Sequence, residues 1–253
     1  MSYAEKLQNC FKDKRVVLMA NSPSMEYWVE RRDIFKDKDY KFACNNWWMP
    51  IENDLLKPVG QSFDLIVLGE HRAYHEANLE FVKRPGSLLF VTSPSPELAK
   101  KQSKYRPMVN RLNRYYKGTN AMFTELELVK RFTKFQPNRP LMYPNLDTIQ
   151  VLTIMATLGR AKDIFILGAD GGVTPEFAKY SKGKCHYKCE CSAKRNYVKS
   201  VKCYDGLTKS IIQDAKKAFR IPSIPTYIVG SQSNYNFCDK MDKDHAEKVL
   251  RDG

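Results

Sequence analysis

Arg15-Val16-Val17-Leu18-Met19-Ala20-Asn21-Ser22-Pro23-Ser24 is the stretch that decides the fold. Val16 to Met19 form an unbroken apolar run between a charged segment, 12–15, and a turn, which is the pattern of a short strand covered on both faces. Beyond the turn, a helix carrying Met25, Trp28, Val29 and Ile34 is expected, with Ser24 as its N-cap. Residues 40–44 read as the next strand and end in Asn45-Asn46, so the opening segment is a βαβ unit.

Moving outward, apolar runs predict further strands over 64–68, 87–92, 163–167 and 225–229. Amphipathic or apolar periodicity predicts helices over 101–117, 147–158 and 206–219. This alternation predicts one α/β domain over 1–253, a doubly wound and mostly parallel sheet covered on both faces. Ligands of such sheets bind beyond the carboxyl ends of the strands, so residues 21–24, 45–46, 69–70, 92–93, 168–170 and 230–231 are expected on one rim. Two stretches interrupt the alternation: a basic helical insertion over 94–140, and a run without clear period over 171–205.

Composition narrows the class. A chain of 253 residues with 43% hydrophobic content can bury a full core. No apolar run is long enough to span a bilayer, and the first ten residues lack the basic-then-apolar order of a secretory signal, so a cytoplasmic protein is expected. Seven cysteines, four of them between Cys185 and Cys203, do not form the even framework of a disulfide-stapled domain. The net charge of +14 draws polyanions, phosphorylated substrates, acidic glycans or an anionic membrane surface, without choosing among them.

Several residues have the chemistry of a site. Asn21, Ser22 and Ser24 stand where a strand meets a helix, a place that offers backbone N–H groups to an anion; an ordinary turn is the competing reading. Neither a G-x-G-x-x-G fingerprint nor a G-x-x-x-x-G-K-[ST] loop is present, which counts against a standard dinucleotide dehydrogenase and a P-loop NTPase. Asn145 and Thr148 flank the start of an apolar helix, where Asp147 and Gln150 are spaced as a capping box. Gly168 lets the backbone approach a ligand closely, and Asp170 is placed to accept from a ribose or a base.

Cys185, His186, Cys189 and Cys191, with Cys203 further on, can assemble a structural zinc site; a basic loop of unpaired thiols is the alternative. A zinc-bound His186 has no lone pair left to serve as a base, so the two roles exclude each other. Lys100, Lys101, Lys104, Arg106, Arg111, Arg114 and Lys117 interleave with Tyr105, Tyr115 and Tyr116, a mixture suited to tracking phosphates, to holding an acceptor, or simply to facing solvent.

Three blocks resemble the bacterial sialyltransferases of glycosyltransferase family 42 and the related DUF115 group, which includes archaeal 6-hydroxymethylpterin diphosphokinases. Residues 16–24 are similar to a family strand ending in G-N-G-P-S, and residues 42–47 to a strand ending in C-N. Residues 148–170 are similar to the family's small-residue helix, Leu-Gly turn and strand ending in G-x-D. The resemblance implies a Rossmann-like sheet of the GT-A-variant type, nucleotide contacts at Asn21, Ser22, Asn45, Gly168 and Asp170, and a lid over 171–205.

It further implies a nucleotide-sugar donor, with CMP as one candidate, and a glycan or other hydroxyl acceptor. By the same resemblance transfer needs no metal, Tyr180 is the candidate at the donor phosphate and His186 the candidate base. Leu146-Asp147-Thr148 stand where the family has small hydroxyl and glycine residues, and Cys189 where it has a second histidine. The pterin-kinase branch implies instead ATP with Mg²⁺ held by carboxylates such as Asp147 and Asp170. A third reading is a basic nucleic-acid or membrane-surface binding protein on the same scaffold.

Overall fold

The computed structural model describes residues 7–20, 22–45, 52, 54–68, 74–94, 100, 106–126, 148–170 and 192–253, with backbone only at 23, 45, 92, 94, 124–126 and 192–204. Its centre is an 8-stranded sheet in which every neighbouring pair is parallel. The strands are β1 (Arg15–Met19), β2 (Lys41–Asn45), β3 (Leu65–Leu68), β4 (Leu88–Pro94), β5 (Met122–Leu126), β6 (Asp163–Leu167), β7 (Thr226–Val229) and β8 (Asp239–Met241). They lie in the order β5-β4-β3-β2-β1-β6-β7-β8. The chain therefore winds outward from β1 to one edge, returns to the other side of β1, and winds outward again.

That reversal dictates the layers, because right-handed crossovers in opposite directions place their helices on opposite faces. One face carries α1 (Glu26–Glu30), α2 (Glu76–Lys83), α3 (Arg106–Tyr115) and the C-terminal α6 (Lys243–Asp252). There Val17, Met19, Phe42, Ile66, Val91 and Leu167 pack with Trp28, Phe35, Phe81, Leu112 and Leu250. The other face carries α4 (Thr148–Leu158) and α5 (Ser192–Phe219). Val16, Leu18, Val67, Ile164 and Ile166 pack there with Leu152, Met155, Ile211 and Ala215.

Neighbouring residues of each strand thus divide between two cores, as the period of two requires when both faces are covered. α4 is buried along all but its first residue, since it returns across the middle of the sheet from β5 to β6; its apolar residues on every side suit that place. Among the described residues no helix is long and apolar enough to cross a membrane.

Several boundaries differ from the sequence reading. Ser24 is not a helix N-cap: it lies inside a short 3₁₀ turn, Pro23–Met25, and Met25 occupies the cap of α1 without a side-chain bond. The stretch 94–140 is not wholly an insertion, since it supplies α3 and β5, which extend the sheet by the same alternation; residues 127–147 lie outside the described residues. The lid stretch 171–205 runs into α5, which begins at Ser192 and continues unbroken through Gly206.

The sequence reading starts that helix at Gly206, yet Gly206 sits exposed inside it, and a Cβ added to it meets nothing within 4 Å. Gly206→Ala is therefore expected to stabilise the fold by roughly 0.5–1 kcal/mol, seen as a raised urea midpoint at unchanged slope.

Candidate functional site

The winding reverses between β1 and β6, and a doubly wound sheet opens a crevice where its winding reverses. β1 and β6 pair in register from Arg15↔Asp163 to Met19↔Leu167, and the pairing continues beyond the strands. The Ala20 N–H donates to Leu167 O at 2.9 Å and the Ser22 N–H to Gly168 O at 2.9 Å. The Asp170 N–H then donates to the hydroxyl of Ser22, at 3.2 Å. Gly168, at φ +67, makes this lacing possible: a Cβ there meets the carbonyl oxygen of Ala20 at 2.4 Å. The two loops lie too close for any side chain between them.

Asp170 turns its carboxylate back across the crevice. It accepts from the Ser24 N–H at 3.1 Å and from the Ser24 hydroxyl. The first helical turn after β1 thus already has an anion on its free N–H, supplied by the protein, which is the place a ligand phosphate was expected to take. An ionised carboxylate has about four lone-pair sites, and these two bonds leave acceptor capacity on a half-buried group. This rim therefore presents an acceptor, suited to a hydroxyl or amino group of a ligand.

The loop after β7 forms the adjoining wall. The Asn234 N–H donates to Asp170 O at 2.9 Å, and the buried Ser233 hydroxyl donates to Ala169 O at 2.5 Å. Lys240 Nζ donates to Ser233 O at 2.7 Å, holding that loop from β8. Behind it, the buried Asp205 of α5 accepts from the Asn236 N–H at 2.8 Å and from Gln150 Nε2 of α4 at 3.3 Å. Burial raises the pKa of Asp205, and the bonds from Asn236 and Gln150 and the charges of Lys209 and Lys240 oppose that rise. Two loops and two helices are thereby tied to one end of the sheet.

Of the expected nucleotide contacts, Ser22, Ser24, Gly168 and Asp170 come together at this point. Thr148 opens α4, which shares the Asp205 knot through Gln150. Asn45 ends β2, opposite Val67 of β3. Asn21, Asn145, Tyr180 and His186 lie outside the described residues, as do Cys185, Cys189 and Cys191; the backbone of Cys203 lies on α5. Among the described residues no three His, Cys, Asp or Glu side chains gather as metal ligands.

Ser233, Asn234, Asp205 and Asn236 were not expected at the site. The sequence reading reached that wall only through residues 230–231, expected on the rim, which 232–236 directly follow. No family model, curated protein or solved structure matches the chain, so what the crevice binds is read from its own side chains.

Proposed function

We propose that the chain is a glycosyltransferase that holds a nucleotide-sugar donor in the crevice above β1 and β6 and passes its sugar to a hydroxyl acceptor. The observation that carries this reading is Asp170, which stands at the point where the winding reverses with acceptor capacity to spare. A ribose hydroxyl or the amino group of a base is the natural donor to it. The resemblance of residues 16–24, 42–47 and 148–170 to sialyltransferases supports the same assignment.

In this reading His186 takes the proton of the acceptor hydroxyl as its oxygen bonds to the anomeric carbon. The bond from that carbon to the donor phosphate breaks, and the nucleotide leaves with the electron pair while Tyr180 donates a hydrogen bond to its phosphate.

Ligand-dependent thermal unfolding tests the binding half. CMP at a hundredfold excess over its dissociation constant is expected to stabilise the fold by about 2.7 kcal/mol. Asp170→Asn keeps one oxygen for Ser24 but loses the charge, and is expected to weaken nucleotide binding about tenfold with little change in the ligand-free unfolding temperature. Stabilisation by ATP with Mg²⁺ but not by CMP or a CMP-sugar replaces glycosyl transfer with diphosphate transfer. The absence of stabilisation by any nucleotide overturns the assignment. For the chemical half, His186→Ala is expected to abolish transfer while nucleotide stabilisation persists; unchanged turnover removes His186 from the mechanism.

A further inference from the structure

α3 carries a charge pattern unlike that of the other charged helices. Arg106, Asn110, Arg111, Asn113 and Arg114, with Lys117 just beyond, are all exposed, and the helix has no acidic residue. On α2 Lys83 pairs with Glu80, and Arg251 of α6 pairs with both Glu247 and Asp33; exposed lysines such as Lys57, Lys162 and Lys217 also have no carboxylate partner among the described residues, but they are scattered over different elements rather than set along one helix. None of the cations of α3 has a carboxylate partner among the described residues. Arg111 is instead laid over the ring of Tyr74, 4.3 Å from its centroid, an arrangement that orients a guanidinium without neutralising it.

We propose that this outer face of α3 binds the phosphate backbone of nucleic acid, without reading its sequence. From Arg106 to Lys117 the row is about 16 Å long, enough to meet several successive phosphates. Three of its four cations are arginines, whose planar guanidinium matches phosphate oxygens in pairs. Asn110 and Asn113 lie between them with amide donors for phosphate or sugar oxygens.

A membrane surface fits this face less well. Three apolar residues of α3 are committed to the sheet: Leu112 is fully buried, and Met108 and Tyr115 pack against the same core. Among the described residues of α3 only Pro107 and the half-buried Val109 are apolar and outside the core, too little for the continuous apolar face an interfacial helix lays into a lipid layer.

The test titrates the full-length protein against fluorescent single-stranded and duplex oligonucleotides, and against vesicles containing phosphatidylserine, over a range of salt concentrations. Two variants are compared: Arg106→Gln with Arg114→Gln and Lys117→Gln on this face, and Lys57→Gln with Lys162→Gln and Lys217→Gln, which removes the same charge from exposed positions elsewhere. The first is expected to lower oligonucleotide affinity about tenfold or more at low salt and to flatten the slope of log affinity against log salt by roughly 2–3. The second is expected to change the slope by much less.

Equal losses in the two variants attribute binding to the diffuse field of the chain and overturn the proposal. Binding to vesicles and not to oligonucleotides also overturns it, as does no binding to either. Asp170→Asn is expected to leave oligonucleotide affinity unchanged, which separates this surface from the crevice. Both triple variants alter only exposed side chains, and an unchanged unfolding temperature checks that they fold.

Discussion

Replacing Asp163 with alanine is expected to cost about 3–5 kcal/mol of folding stability, out of a total on the order of 5–15 kcal/mol for a domain. Asp163 receives the guanidinium of Arg15 through Nε at 2.9 Å and through Nη2 at 2.8 Å, and both residues are buried. The remaining donor, Nη1, bonds the Tyr40 hydroxyl at 3.2 Å and Val249 O at 2.9 Å, while the Tyr40 hydroxyl donates to Leu250 O at 2.8 Å. One arginine thus binds β1, β6 and the C-terminal helix together at the amino end of the sheet.

Removing its carboxylate leaves a positive charge inside the protein without a counter-ion, which is why the single substitution costs more than the pair itself contributes. Arg15→Met combined with Asp163→Leu is therefore expected to recover much of the loss. Urea unfolding of the two single variants and the double variant measures both effects. A loss below about 1 kcal/mol for Asp163→Ala would show that water or a rearranged neighbour satisfies Arg15.

The second large effect belongs to the opposite end of the same two strands. Gly168→Ala is expected to destabilise the fold by about 3 kcal/mol or more and to abolish nucleotide stabilisation. Two causes act together: the φ of +67 strains any L side chain, and the new methyl meets backbone, the Ala20 carbonyl, which cannot turn aside as a flexible side chain can. Relief requires the ends of β1 and β6 to part, which breaks the bonds that position Ser22 and Asp170. Gly118, at φ +78 with nothing within 4 Å of an added Cβ, supplies the comparison. Gly118→Ala carries the strain alone and is expected to cost about 1 kcal/mol. Equal losses at the two glycines in thermal unfolding would mean that the close approach at Gly168 relaxes freely.

The central strands were legible because they are buried on both faces. Val16 to Met19 and Ile164 to Leu167 face cores on either side, so no polar residue interrupts them. The edges were not. β8 is Asp239-Lys240-Met241, with its first two residues exposed, and β5 contains Thr124 and Glu125 within a basic stretch; an edge strand has only half the burial that writes an apolar run into sequence.

At the site, Ser22, Gly168 and Asp170 follow from the rule that loops after parallel strands share a rim. The contacts of Asp170 with Ser24 and Asn234 do not. They join residues far apart in the chain, and a carboxylate that caps a distant turn has no local signature. For the same reason an expected N-cap at Ser24 became a bond to Asp170: the turn's free N–H found its anion in tertiary structure rather than in the adjacent side chain.

The Arg15–Asp163 contact joins residues 148 positions apart. Within the sheet the two halves pair along β1 and β6, and α4 and the C-terminal helix add contacts between them, so the second half cannot dock until the first 160 or so residues are available. Contacts across such a separation come late in folding, because the entropy of closing the intervening chain must be met before they contribute. The crevice is framed by contacts that carry this entropic cost. A ligand that bridges its two sides is expected to slow the separation of the halves more than any local unfolding within either one.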